Sequence, residues 1–204
     1  STFSAVGVMG FEFGDYEFWP TSLSVDTAVA TLRRTGLPML DVEQASNAVR
    51  TARYVFSGPG SPSYALQIWN EVGLAPLLQD VVRAGGTVTF ASAASLALGR
   101  TTIPVYEIYK VGEAPRWLPG MDILSGLGFP CTVVPHWNNA EGGSHDTSCC
   151  FMGKSRFAEM VKMLPAETAI LGLDEHTACI IDFERRDAEV RGIGQVTWQL
   201  GGNE

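Results

Sequence analysis

Thr87-Val88-Thr89-Phe90-Ala91 is a run of β-formers that passes without a spacer into Ser92-Ala93-Ala94-Ser95, whose small residues suit the start of a helix. A strand that turns directly into a helix calls for a crossover, and crossovers join parallel strands. The rest of the chain repeats this alternation. Short apolar runs predict strands over residues 4–9, 37–42, 53–57, 131–135 and 169–173. Between them, Val25, Ala28, Val29 and Leu32 recur at helical spacing over residues 24–34, with Ser24 as N-cap. Further helices are expected over 63–69, 76–84, 93–98 and 155–164. Residues 178–183 and 189–193 read as a hairpin, with 195–200 extending it. The pattern predicts an α/β fold: a mostly parallel, doubly wound sheet with helices on both faces and an antiparallel C-terminal hairpin.

Composition narrows the function classes. A chain of 204 residues suits one domain spanning 1–204. The net charge is −8 and no Lys or Arg run exceeds a pair, so the clustered positive charge of a nucleic-acid surface is missing. No apolar stretch approaches the ~20 residues of a membrane span. Residues 1–14 carry Glu12 and no basic residue, unlike a signal peptide, so a cytoplasmic location is expected. Cys131, Cys149, Cys150 and Cys179 lack C-x-x-C spacing and read as reduced thiols. Cys149 and Cys150 with His136 and His145 could form a zinc site only at irregular spacing. The reading is therefore no metal and no cofactor. A homo-oligomer is compatible with the sequence but not specified by it.

Ligands of doubly wound sheets bind beyond the carboxyl ends of the strands. Three such loops carry chemistry here. Gly58-Pro59-Gly60-Ser61-Pro62 allows close backbone approach and feeds a helix N-terminus, or is an ordinary turn. Phe90 to Ser95 follows the strand–serine–helix logic of a nucleophile elbow, in which Ala93 N–H faces an oxyanion. The bland alternative makes Ser92 an N-cap, and Ser95 is the fallback nucleophile. His136, in Pro135-His136-Trp137-Asn138-Asn139, stands at a strand's carboxyl end as a general base. Asp174-Glu175-His176-Thr177 follows the strand at 169–173, and its carboxylates could orient an imidazole or merely form a turn. His145 falls in a glycine-rich surface loop.

These segments, in this order, resemble the cyanophycinase and dipeptidase E family of serine peptidases, on the class I glutamine-amidotransferase-like fold. The family's Gly-x-Ser-Ala-Gly turn corresponds to Phe90 to Ala94, which puts Ser92 in the nucleophile's place. Its histidine corresponds to His136. The acidic member of its triad, in an Ile-Asp-Glu-x-Thr-Ala segment, corresponds to Glu175 in Leu173-Asp174-Glu175-His176-Thr177-Ala178. Its glycine-rich loop corresponds to Gly58 and Gly60. From about Arg53 to Trp198 the chain is also similar to a poorly characterised type 1 glutamine-amidotransferase-like branch, through Pro104-Val105-Tyr106-Glu107, Pro135-His136-Trp137-Asn138-Asn139 and Cys150-Phe151-Met152-Gly153. The departures are Phe90 and Ala94 at the family's glycines, Cys149 at an expected basic residue, and an N-terminus without a glycine-rich first-strand loop. That last departure suggests a truncated or divergent start. A ring at position 90 is expected to crowd the turn or cover the hydroxyl.

The resemblance implies a peptidase-like serine hydrolase acting on a small-molecule or peptide amide or acyl group. Ser92, His136 and Glu175 would be catalytic, and Gly58, Gly60, Ala93 and Asn138 would bind oxyanion or substrate. The alternative is an inactive small-molecule-binding protein on the same fold. A glutamine amidotransferase comes third, because the elbow holds Ser where that chemistry needs Cys. His176 remains a substitute for His136.

Overall fold

The computed structural model describes the backbone of residues 5–9, and residues 28, 30–58 and 60–201. In chain order the elements are β1 (Ala5–Met9), α1 (Met39–Thr51), β2 (Tyr54–Ser57), α2 (Pro62–Glu71), α3 (Leu74–Arg83), β3 (Thr87–Ala91) and α4 (Ala93–Leu96). Then come β4 (Thr101–Thr102), a π-helical turn (Glu107–Val111), β5 (Leu118–Pro119), α5 (Ile123–Gly126) and β6 (Thr132–Val134). The chain continues through α6 (Ser148–Phe151), α7 (Lys154–Val161), β7 (Ala169–Leu173), β8 (Thr177–Asp182), β9 (Asp187–Gly192) and β10 (Val196–Leu200).

One sheet has the order β2-β3-β1-β8-β9 and a second the order β10-β7-β6. Strands β2, β3 and β1 run parallel, as do β6 and β7. The hairpin β8–β9 is antiparallel and adds to β1. Strands β4 and β5 form a small ladder of their own. The expected α/β sheet with an antiparallel C-terminal strand set is therefore present.

Alternation along β6 and β7 sorts the core into two faces. Cys131 and Val133, with Ala169, Leu171 and Leu173, join a cluster containing Val49 of α1, Leu66 of α2 and the buried stripe of α3. Val134 and Ile170 point the other way and pack with Phe157 and Met160 of α7. Helices thus cover both faces. All of β7 is buried, which is why Ala-Ile-Leu-Gly-Leu reads as a continuous apolar run. In α3, Leu74, Leu78, Val81 and Val82 repeat at i, i+4, i+7 and i+8 and form the buried face.

Three expectations change. The apolar residues 37–42 do not form a strand: Pro38 leads into α1, and Met39 and Leu40 are exposed. The helix is anchored instead by Ala45, Ser46 and Val49. Of the helix expected over 24–34, residues 24–27 and 29 lie outside the described residues, and Ala28 and 30–34 are irregular. Strand β10 does not extend the hairpin. It returns to β7, pairing Val196 with Leu173 and Leu200 with Ala169.

Candidate active site

Strand β3 ends at Ala91, and the chain reverses within one residue into α4. Ser92 makes that reversal with φ 53° and ψ −125°, a conformation few non-glycine residues adopt. The turn is braced from below by Ser95, whose hydroxyl donates to the Ser92 carbonyl at 2.6 Å. Ser95 is fully buried, so this fallback nucleophile cannot meet a substrate. Phe90 neither crowds the turn nor covers the hydroxyl. It is 1% exposed, points into the core with Val88 and meets Trp69 edge-on at 5.9 Å. Ala94 is buried in the same cluster.

Strand β6 delivers His136 just past its carboxyl end, again at positive φ, 52°. Its Nε2 lies 2.8 Å from Ser92 Oγ. On the other side Nδ1 lies 2.9 Å from Glu175 Oε1, in the loop after β7. The carboxylate is held by two neighbours that the sequence reading did not assign to it. Asn139 Nδ2 donates to the same Oε1 at 2.6 Å. Asn138 Oδ1 accepts from the Glu175 backbone N–H at 2.8 Å. Asn138, expected to face substrate, is thus turned toward the Glu175 loop and lies outside the cavity at Ser92. His176 is exposed beside this loop, and its carbonyl accepts from Ile193 N–H.

A cavity of about 370 Å³ opens over Ser92. Gly60, Pro62, Ala93, His136 and Glu175 line it together with Ser92. Gly58, expected to bind oxyanion or substrate, is not among the residues that line it. Ala93 is the first residue of α4, so its N–H belongs to the set that a helix N-terminus leaves without an intrahelical acceptor. Ser61 caps α2, its hydroxyl accepting from Tyr64 N–H. Ser63 donates to Glu107, tying α2 to the π-helical turn.

Part of the remaining wall comes from Cys150 and Phe151, in a segment whose conformation no sequence signal marked. Cys149, Cys150 and Phe151 take φ of 53°, 58° and 66°, so α6 is a left-handed turn of three non-glycine residues. It is held by Cys149 N–H to the Trp137 carbonyl at 3.0 Å and Cys150 N–H to the His136 carbonyl at 3.1 Å. Burial pushes the Cys149 thiol up to about 11, and that of Cys150, lining the cavity, higher still. Neither is a nucleophile at neutral pH. All four cysteines are buried free thiols. Among the described residues no group of three or more His, Cys, Asp or Glu could hold a metal ion, and no helix is long and apolar enough to cross a membrane.

No family model and no curated protein matches the chain. Solved structures do. A peptidase from an acI-B1 Actinobacterium is 18% identical, with a TM-score of 0.55 over 82% of this chain and 65% of its own. A protein assigned as Peptidase E from Listeria monocytogenes EGD-e is 13% identical, with a TM-score of 0.52 over 75% of this chain and 66% of its own. The chain spans slightly less than two thirds of either relative. At these identities the likeness is one of fold: the chain has the α/β fold of these peptidases.

Proposed function

We propose that the protein is a serine hydrolase of the peptidase type, on the glutamine-amidotransferase-like fold, acting on a small peptide or other small amide or acyl substrate. The observation that carries this is the continuous line Ser92 Oγ, His136 Nε2, His136 Nδ1, Glu175 Oε1, with steps of 2.8 and 2.9 Å. Ser92 Oγ attacks the substrate carbonyl carbon while His136 Nε2 takes the hydroxyl proton. Glu175 accepts Nδ1–H, fixing the tautomer and stabilising the imidazolium. The N–H groups of Ala93 and Gly60 face the oxyanion. As the C–N bond breaks, His136 passes the proton to the leaving amine nitrogen, and the acyl group stays on Ser92. Water, deprotonated by His136, then releases the acid. General acid–base help contributes ~10²–10⁴-fold, and each oxyanion donor ~10²–10³-fold.

A fluorophosphonate probe tests the reading, because its phosphorus is attacked only by an activated oxygen. The wild-type protein is expected to be labelled. Ser92→Ala is expected to abolish labelling at a nearly unchanged melting temperature, since the hydroxyl faces a cavity. A well-folded wild type that stays unlabelled would favour a binding protein on the same fold.

A further inference from the structure

We infer that Phe151 and Tyr109 form the leaving-group wall of the cavity, so that the protein selects an aromatic or large apolar amine as leaving group. This deepens the serine-hydrolase reading and rests on it. In that chemistry the proton taken from Ser92 Oγ must reach the departing nitrogen from the same His136 Nε2, so the leaving group lies against the imidazole. Whatever surrounds His136 on the cavity side therefore decides which leaving groups fit.

What surrounds it is aromatic. The Phe151 ring lies 5.7 Å from the His136 ring at a tilt of 51°. Tyr109 continues the wall, 5.3 Å beyond Phe151 at 42°. Leu96 and Val105 extend the apolar lining, and both aromatic rings border the cavity. Tyr109 is 43% exposed, a large apolar ring left uncovered at the cavity mouth. Phe151 is no chance neighbour of the imidazole. Its left-handed turn hangs by Cys150 N–H from the His136 carbonyl itself, so the turn that carries the ring is anchored on the residue that carries the imidazole. Tyr109 sits on the π-helical turn, the kind of helical irregularity that gathers at functional sites. Lys110, next along that turn, also lines the cavity, with its ammonium 4.4 Å from the centre of the Tyr106 ring. Glu141 and Glu175 border the same cavity, so its charged groups are of both signs and the rings supply the selectivity.

The test measures kcat/KM over an Ala-X dipeptide panel, with X being Phe, Leu, Ala or Lys, alongside fluorophosphonate labelling. Ala-Phe is expected to exceed Ala-Ala and Ala-Lys by roughly tenfold or more, as hydrophobic pockets commonly discriminate. Tyr109→Ala and Phe151→Ala are each expected to shrink the Phe-to-Ala ratio at least threefold. The exposed Tyr109 supplies a variant that folds even where Phe151→Ala does not. A labelled wild type with a flat panel, or one preferring Ala-Lys, overturns the leaving-group wall and leaves the hydrolase reading standing. An unlabelled wild type, or one that turns over no member, moves the decision to binding. There L-phenylalaninamide must bind at least tenfold more tightly than L-alaninamide or L-lysinamide, and lose that margin in Tyr109→Ala. Equal binding overturns the inference.

Discussion

Asn139 donates its carboxamide to the same Glu175 oxygen, Oε1, that faces His136 Nδ1. The residue is 2% exposed, and its own Oδ1 accepts from Glu141 N–H, so it bridges the Glu175 carboxylate to the loop after β6. A hydrogen bond to a charged group is worth ~1.5–3 kcal/mol, or about 10- to 100-fold in rate if it is felt wholly in the transition state. Asn139→Ala is therefore expected to cut the maximal rate of fluorophosphonate labelling by about that factor, with the half-saturating probe concentration little changed. A purely structural role would lower the melting temperature and leave the maximal rate of the folded fraction intact.

Ser92 holds a conformation that a glycine reaches without strain. Backbone outliers of this kind cost about 1–3 kcal/mol each. Ser92→Gly is expected to raise the midpoint of chemical denaturation above the wild type, while Ser92→Ala stays close to it. Both variants lose labelling, so the comparison isolates the strain from the hydroxyl. Equal midpoints for Gly and Ala would mean that the turn is relaxed.

The parts of this site that were legible in the sequence are those set by local patterning. A β-forming run abutting small residues placed Ser92 on a turn, and His136 and Glu175 each follow an apolar run that became β6 or β7. Spacing from Ser92 alone puts Phe90 against the turn, but strand alternation decides where its ring goes. Two residues before the turn it falls with Val88 on the core face, where burying such a ring contributes about 1.5–3 kcal/mol. Leu37 to Val42 look like core, yet they lead into α1 with Met39 and Leu40 86% and 67% exposed. The left-handed turn at Cys149 to Phe151 has no local signature at all. It exists because its N–H groups find the His136 and Trp137 carbonyls, partners that only the folded chain supplies. Asn139 belongs to the same class: nothing local ties it to Glu175, 36 residues away.

Cys131 is fully buried, and desolvation, aided by Cys179 and Asp122 nearby, pushes its thiol from the ordinary 9.0 up to about 12. The folded chain keeps this thiol neutral at a pH where the unfolded chain ionises it. Its contribution to stability is therefore whole below pH 9.0 and is lost as pH climbs toward about 12. Urea denaturation at pH 8 and pH 10.5 is expected to show a larger loss of stability in the wild type than in Cys131→Ala. Iodoacetamide at pH 8 is expected to modify Cys131 only after unfolding. Rapid alkylation of the native protein at Cys131 would contradict this.

Gly172 lies outside the cavity, in β7, and packs against the ring of Trp137, the neighbour of His136. A Cβ there would stand 2.5 Å from Cδ2 and Cε3 of Trp137. The indole cannot yield easily, because it packs edge-on to Phe157 at 5.3 Å and its backbone N–H is tied to the Leu173 carbonyl at 2.9 Å. Trp137 adjoins His136, so pushing the ring outward moves the imidazole relative to Ser92. Overpacking of this kind typically costs ~1–3 kcal/mol. A displacement of the imidazole by even about 1 Å can lower the rate by about 100-fold. Gly172→Ala is expected to reduce the melting temperature and to slow fluorophosphonate labelling at least tenfold in the folded protein. Gly126→Ala serves as the control. The nearest atoms its Cβ would meet all belong to the flexible end of Gln79, a residue that does not line the cavity, and labelling should stay within a factor of two. Wild-type labelling in Gly172→Ala would show that His136 is held by its hydrogen bonds to Ser92 and Glu175, and that the packing beneath Trp137 plays no part in placing it.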